Sequence, residues 1–142
     1  MSATGLEVFD ATVHKTNRWL KEIMQDLDWE DRHRAYLALR ATLHALRDRL
    51  TVEEVAHLGA QLPMLIRGFY YEGWDPTRKP EKIRRREEFL ERIAQYFVRT
   101  GNGVHPEPVV RAVFAVLGRR VSEGEIEDVK RVLPEEIRDL WP

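Results

Sequence analysis

The stretch Arg40 to Tyr70, RATLHALRDRLTVEEVAHLGAQLPMLIRGFY, is written a second time as Arg111 to Trp141, RAVFAVLGRRVSEGEIEDVKRVLPEEIRDLW. The offset is 71 residues, half of the 142-residue chain, and 9 of the 31 positions are identical without a gap. The identities include Leu46/Leu117, Arg49/Arg120, Glu54/Glu125, Leu62-Pro63/Leu133-Pro134 and Ile66-Arg67/Ile137-Arg138. Many other positions exchange like for like, as Val55/Ile126 and Tyr70/Trp141 do. A chain that repeats one half in the other is expected to fold as two copies of one unit. The first unit spans about residues 6–71, a loop covers 71–80, and the second unit spans about 81–142.

The unit itself is helical. Leu6, Phe9, Val13, Leu20, Ile23 and Leu27 fall at steps of three, four and seven, the stripe of a half-buried helix. Asp28 is placed to cap a second helix over about Glu30 to Arg49, whose stripe is Ala35, Leu39, Leu43, Leu46 and Leu50. Thr51-x-x-Glu54 is a capping box that opens a third helix, because the threonine oxygen takes a free amide while the glutamate reaches back. Pro63 ends that helix and starts a short one over Met64 to Tyr70. The second half repeats the pattern. A helix following Pro80 carries Ile83, Leu90, Ile93 and Phe97, and Pro106 and Pro108 open the next. Ser122-x-x-Glu125 restates the capping box, and Pro134 begins the last helix. No strand-like alternation of useful length occurs. The expectation is an all-α single domain, an internally duplicated helical bundle of two pseudo-symmetric units of about four helices each.

Charge and composition remove several function classes. The formal charge is −1, so no long-range field recruits nucleic acid or anionic lipid to the molecule as a whole. Zero cysteines exclude disulfides, thiol catalysis and thiolate metal sites. The start MSATGLEVFDATVHK has no signal-peptide form, and no apolar run approaches the ~20 residues of a membrane span. A cytoplasmic location without membrane attachment is expected. There is no phosphate-binding glycine loop, nucleophile elbow or paired-histidine helix motif, so no catalytic residue, metal site or cofactor is assigned.

A residue kept in both halves is more economically explained by the fold than by one asymmetric site. Glu54 and Glu125 are read as capping-box members, and Arg49 and Arg120 as helix-closing cations. Arg67 and Arg138 are expected to pair with carboxylates. Features present in only one half are the better candidates. Gly59-Ala60-Gln61 offers small residues that let another element approach, with Gln61 as a contact residue. Tyr70, Tyr71 and Trp74 form an aromatic cluster at the main loop, which either pins itself to the body or makes a recognition surface. Arg78, Lys79, Lys82, Arg84, Arg85 and Arg86 form a basic run that can contact phosphates, although the glutamates around it also fit a solvated, ion-paired helix face. Arg67, Glu54 and His44 are the polar groups nearest to a cleft between the halves. His44 and Asp48 share a helix face, and no third ligand stands beside them in the local sequence.

The segment Leu39 to Pro76, LRATLHALRDRLTVEEVAHLGAQLPMLIRGFYYEGWDP, resembles the hallmark segment of the bacterial Domain of Unknown Function 2267 family. The resemblance extends over nearly the whole chain, through the Trp19-Leu20 helix to the closing Leu133-Pro134 segment. It implies a helical cytosolic protein and carries no catalytic residues to transfer. The leading reading is a non-enzymatic interaction or scaffold module that binds a protein partner or itself around Tyr70 to Trp74. Nucleic-acid binding by the basic run, and a small-ligand or enzymatic cleft between the repeats, are the two alternatives.

Overall fold

The structure, a computed structural model, describes residues 2–77, 79–101 and 103–142. The described residues form eight α-helices and no strand. They are α1 (Glu7–Leu27), α2 (Arg32–Arg49), α3 (Val52–Gln61), α4 (Met64–Tyr71), α5 (Arg86–Arg99), α6 (Pro106–Arg120), α7 (Glu123–Arg131) and α8 (Glu135–Arg138). None is long and apolar enough to cross a membrane.

Local chemistry sets most of the boundaries. The Thr51 hydroxyl accepts from the Glu54 amide at 3.2 Å, and the Ser122 hydroxyl from the Glu125 amide at 3.3 Å, the hydroxyl half of each expected capping box; the glutamates do not reach back, and the Ser122 amide donates to Gln61 instead. Pro63 and Pro134 stand at the N-caps of α4 and α8. Two boundaries differ from the sequence reading. Asp28 does not cap α2; it ends α1 in the left-handed conformation, φ 55°, which a short polar side chain tolerates. Asp31 is the cap instead, its carboxylate accepting from the amides of His33 and Arg34 at 3.0 and 3.3 Å. The helix expected directly after Pro80 starts only at Arg86. The Glu81 amide donates to the Asp48 carbonyl at 2.9 Å, and Arg49 Nε donates to the Ile83 carbonyl at 2.6 Å, so the end of α2 ties this segment down before a helix can begin. Ile83 still reaches the core from that strap.

The helices α1, α2, α5 and α6 pack together, and α2 touches each of the other three. Ten of its 18 residues are buried, the signature of a helix enclosed on most sides rather than on one stripe. The short helices add to this frame: α4 lies on α1 and α2, α3 meets α7, and α8 lies on α5. Phe114 and Trp141 stack at 4.1 Å and hold the C-terminal end of the chain on α6. One cluster of buried side chains runs from Trp19 to Trp141 through both halves.

Arg67 and Arg138 do not form the carboxylate pairs expected of them. Arg67 donates to the Gly59 and Leu62 carbonyls at 2.9 and 2.8 Å, and Arg138 to the Lys130 and Leu133 carbonyls at 3.1 and 2.8 Å. These carbonyls stand where α3 and α7 end; those of Gly59 and Lys130 also take the Leu62 and Leu133 amides, and the guanidinium donors add the bonds that a further helical turn would have supplied. Leu62 and Leu133 are both buried in the common cluster. Truncating either to alanine is expected to cost ~2–5 kcal/mol in urea denaturation, and a loss below ~1 kcal/mol at both sites contradicts equal core roles.

Candidate functional site

The stripe on α1 is covered along only part of its length. Leu20 and Ile23 are buried, whereas Leu6, Phe9 and Val13 remain exposed, Phe9 at 45%. Across from them α4 presents Met64 and Leu65, the latter 43% exposed. Between the two helices lies an open groove of about 1100 Å³, with Leu20 and Phe69 among its apolar walls and Arg32, His33 and Glu72 among its polar lining residues. The Leu65 amide donates to the Thr12 hydroxyl at 2.9 Å, which fixes the start of α4 against α1 and keeps the groove's width. Periodicity revealed the stripe but not its bare end. The available signal was length: α1 has 21 residues, whereas α5, its counterpart by offset, has 14.

The charges at this groove are unevenly paired. Arg40 holds the Glu72 carboxylate at 2.5 Å and keeps its pKa below the ordinary value. Hydrogen bonds from Ser2 and Thr4 do the same for Asp10. Among the described residues neither Glu7 nor Arg32 has an ion-pair partner. An apolar trough with one free cation at its edge can seat an apolar helix that carries an acidic flank.

The aromatic loop turns inward. Tyr70 is fully buried, its hydroxyl donating to the Val55 carbonyl at 2.8 Å, and burial pushes its pKa well up. It is therefore no surface contact residue. Tyr71 and Trp74 pack at 5.8 Å between ring centres and rest on the core, half-buried. A Cβ at Gly59 would overlap the Tyr71 hydroxyl, so the small residue there admits that ring. Gln61 is exposed, and its side-chain carbonyl oxygen accepts from the Ser122 amide at 3.1 Å.

The three polar residues expected near a cleft have separate partners. His44 Nε2 lies 2.6 Å from the Phe69 carbonyl, which can only accept, so that nitrogen carries the proton. Burial holds this histidine's pKa below its usual value. Asp48 faces Arg47 at 2.9 Å and Lys79 at 3.5 Å, and makes no dyad with His44. Arg67 lines a cavity of about 440 Å³ together with Lys15, Arg18 and Arg120. Of the basic run, Arg78 lies outside the described residues. Lys79 is enclosed by Asp48 and Glu81, and Arg86 approaches the Glu136 carbonyl at 3.5 Å. Lys82, Arg84 and Arg85 are exposed.

Glu54 stands beside Glu125, where α3 meets α7. Both glutamates are 8% exposed, and apart from the neighbouring carboxyl the Oε2 of each has no hydrogen-bond partner. His57, one turn along α3, brings Nδ1 to 4.0 Å from Glu54 Oε2. Burial, then the hydrogen bond and charge of Glu54, then Asp128 on α7, push the Glu125 pKa up to about 8. Tyr70 on α4 also senses both carboxyls. Glu125 thus retains its proton in the folded chain across a range where the unfolded chain has lost it. A raised folded pKa gives stability that is complete below the ordinary value near 4.5 and lost as pH rises towards about 8. Wild-type stability in a chelating buffer is expected to fall over that interval, and Glu125→Gln to flatten the slope; an unchanged slope contradicts the shared-proton geometry.

No curated protein matches the chain. Residues 16–140 match the family described as Uncharacterized conserved protein (DUF2267). That segment takes in α2 to α8, Glu54, His57, Glu125 and the α4 wall of the groove, while Leu6, Phe9 and Val13 precede it. With nearly its whole length matched, the chain belongs to the DUF2267 family.

Proposed function

We propose that this protein is a non-enzymatic helical interaction module that pairs with a second copy of itself through the α1/α4 groove. The observation that carries the reading is the uncovered apolar stripe Leu6, Phe9 and Val13 beside the exposed Met64 and Leu65. An exposed apolar surface framed by polar residues is the ordinary mark of an association site. The stripe is itself an amphipathic helix face with anchors at i, i+3 and i+7, the form that fits an apolar groove. The chain therefore carries both knob and hole, as a twofold, self-complementary interface requires. Charge agrees with this occupant: the free Glu7 beside the stripe complements the free Arg32 at the groove's edge. The bundle behind the groove is read as one duplicated unit, a reading supported by the paired capping boxes and by the matching carbonyl bonds of Arg67 and Arg138. This places the interaction surface beside α1 and α4, not at the Tyr70 to Trp74 loop.

Sedimentation equilibrium tests the reading. Wild-type protein is expected to form a dimer with a dissociation constant near the micromolar level, ~8 kcal/mol of association. Val13→Asp and Leu65→Asp are each expected to give monomers with unchanged helical circular dichroism, since both positions are exposed in the single chain. Glu7→Arg and Arg32→Glu should each weaken pairing, and the double reversal should restore it. A wild type that stays monomeric at hundreds of micromolar overturns self-pairing. Dimers indifferent to Val13→Asp and Leu65→Asp overturn the placement.

A further inference from the structure

We propose that Glu54, His57 and Glu125 form a binding site for a divalent transition-metal ion of the zinc type at the α3–α7 junction. The first ground is geometry. Each residue offers one ligand atom, and the three atoms lie within 4.8 Å of one another. Ligand atoms in a four-coordinate shell at ~2.0–2.2 Å stand ~3.3–3.6 Å apart, so side-chain movements of about an ångström close the set.

The second ground is unanswered hydrogen-bonding capacity. Each glutamate is 8% exposed, and its Oε2 meets no donor beyond the neighbouring carboxyl. Buried carboxyl oxygens are costly to leave without a partner, and a bound ion answers both at once. The backbone roles of these residues do not account for the orphaned atoms. The capping boxes engage the Thr51 and Ser122 hydroxyls with the glutamate amides and leave the Oε2 atoms untouched.

The donor set selects the class of ion. Calcium and magnesium favour all-oxygen shells, whereas an imidazole with two carboxylates suits zinc and its first-row neighbours. His57 is 54% exposed in its side chain, so the site is open on one side and leaves room for water as a fourth ligand. With Nδ1 turned to the glutamates, His57 Nε2 stands 3.9 Å from the Glu53 carboxylate. A carboxylate behind a ligating imidazole orients the ring and strengthens it as a donor. Asp128 is left out of the set, since its Oδ1 is held by Arg131 at 2.9 Å. The groove plays no part in this argument, so failure of either proposal leaves the other standing.

The test is calorimetric titration of the full chain with zinc chloride at neutral pH, with cobalt(II) visible absorption as a second readout. One ion per chain is expected, with a zinc-dependent rise in Tm. Glu54→Gln and Glu125→Gln keep a side chain able to complete a capping box, and His57→Ala alters an exposed position, so all three are expected to fold. Each should weaken zinc binding by at least ~10-fold and remove the Tm shift, and Glu53→Gln should weaken it less. A wild type showing neither heat nor a Tm shift at millimolar zinc overturns the site. Equal binding by the wild type and all three variants also overturns it, placing the ion on other histidines.

Discussion

A single buried guanidinium holds the turning point of this chain. Arg47, 4% exposed near the end of α2, donates to the carbonyls of Tyr70 and Glu72 at 2.7 and 2.9 Å and pairs with Asp48 at 2.9 Å. His44 meets the Phe69 carbonyl one turn earlier, and Arg40 meets the Glu72 carboxylate one turn before that. One face of α2 thereby takes up the carbonyls that α4 leaves free as it ends. A charge is tolerated at such depth only because its donors are engaged. The clasp seats α4 against the bundle, and the position of α4 decides where the groove opens and where Tyr70 enters the core.

The α3–α7 junction and the groove are separate consequences of this frame. Once α4 is seated, Tyr70 and Tyr71 both aim their hydroxyls at the Val55 carbonyl, Tyr70 at 2.8 Å, and fill the space beneath α3. The face of α3 that carries Glu54 is then directed at α7, where Glu125 occupies the corresponding capping position. Two carboxyls carried on the first turns of α3 and α7 are thus brought into a shared, poorly solvated space. On the other side of α4, no described element covers Met64 and Leu65, and the apolar start of α1 stays bare beside them.

Much of the helical order was legible because capping boxes, prolines and apolar stripes are local signals. Thr51, Ser122, Pro63 and Pro134 all stand at helix starts as expected. The errors arose where a distant group decided the outcome. Asp28 and Asp31 are both plausible caps in isolation, and α1 continued far enough to take Asp28 for its own end. The strap before α5 depends on Asp48 and Arg49, more than 30 residues away in sequence for the Arg49–Ile83 bond. The candidate sites were harder to see. Reading Glu54 and Glu125 as capping-box members accounted for their amides but not for their carboxyls, and no spacing rule says that the side chains of two helix starts face each other. Arg47 has no distinguishing local pattern, and in the second half Gly118 takes its place. The aromatic loop looked like a surface because its glycine and prolines mark a turn, whereas its rings are drawn in by Val55 and Gly59.

The clasp is tested most directly by equilibrium urea denaturation of Arg47→Met, which keeps the length and apolar stem while removing the donors. The account predicts a loss of ~3 kcal/mol or more, since the Tyr70 and Glu72 carbonyls lose their donor and Asp48 keeps only Lys79. Faster amide hydrogen exchange should accompany it, confined first to α4. A loss below ~1 kcal/mol, with α4 as protected as in the wild type, would contradict the claim that this arginine holds the fold's turning point.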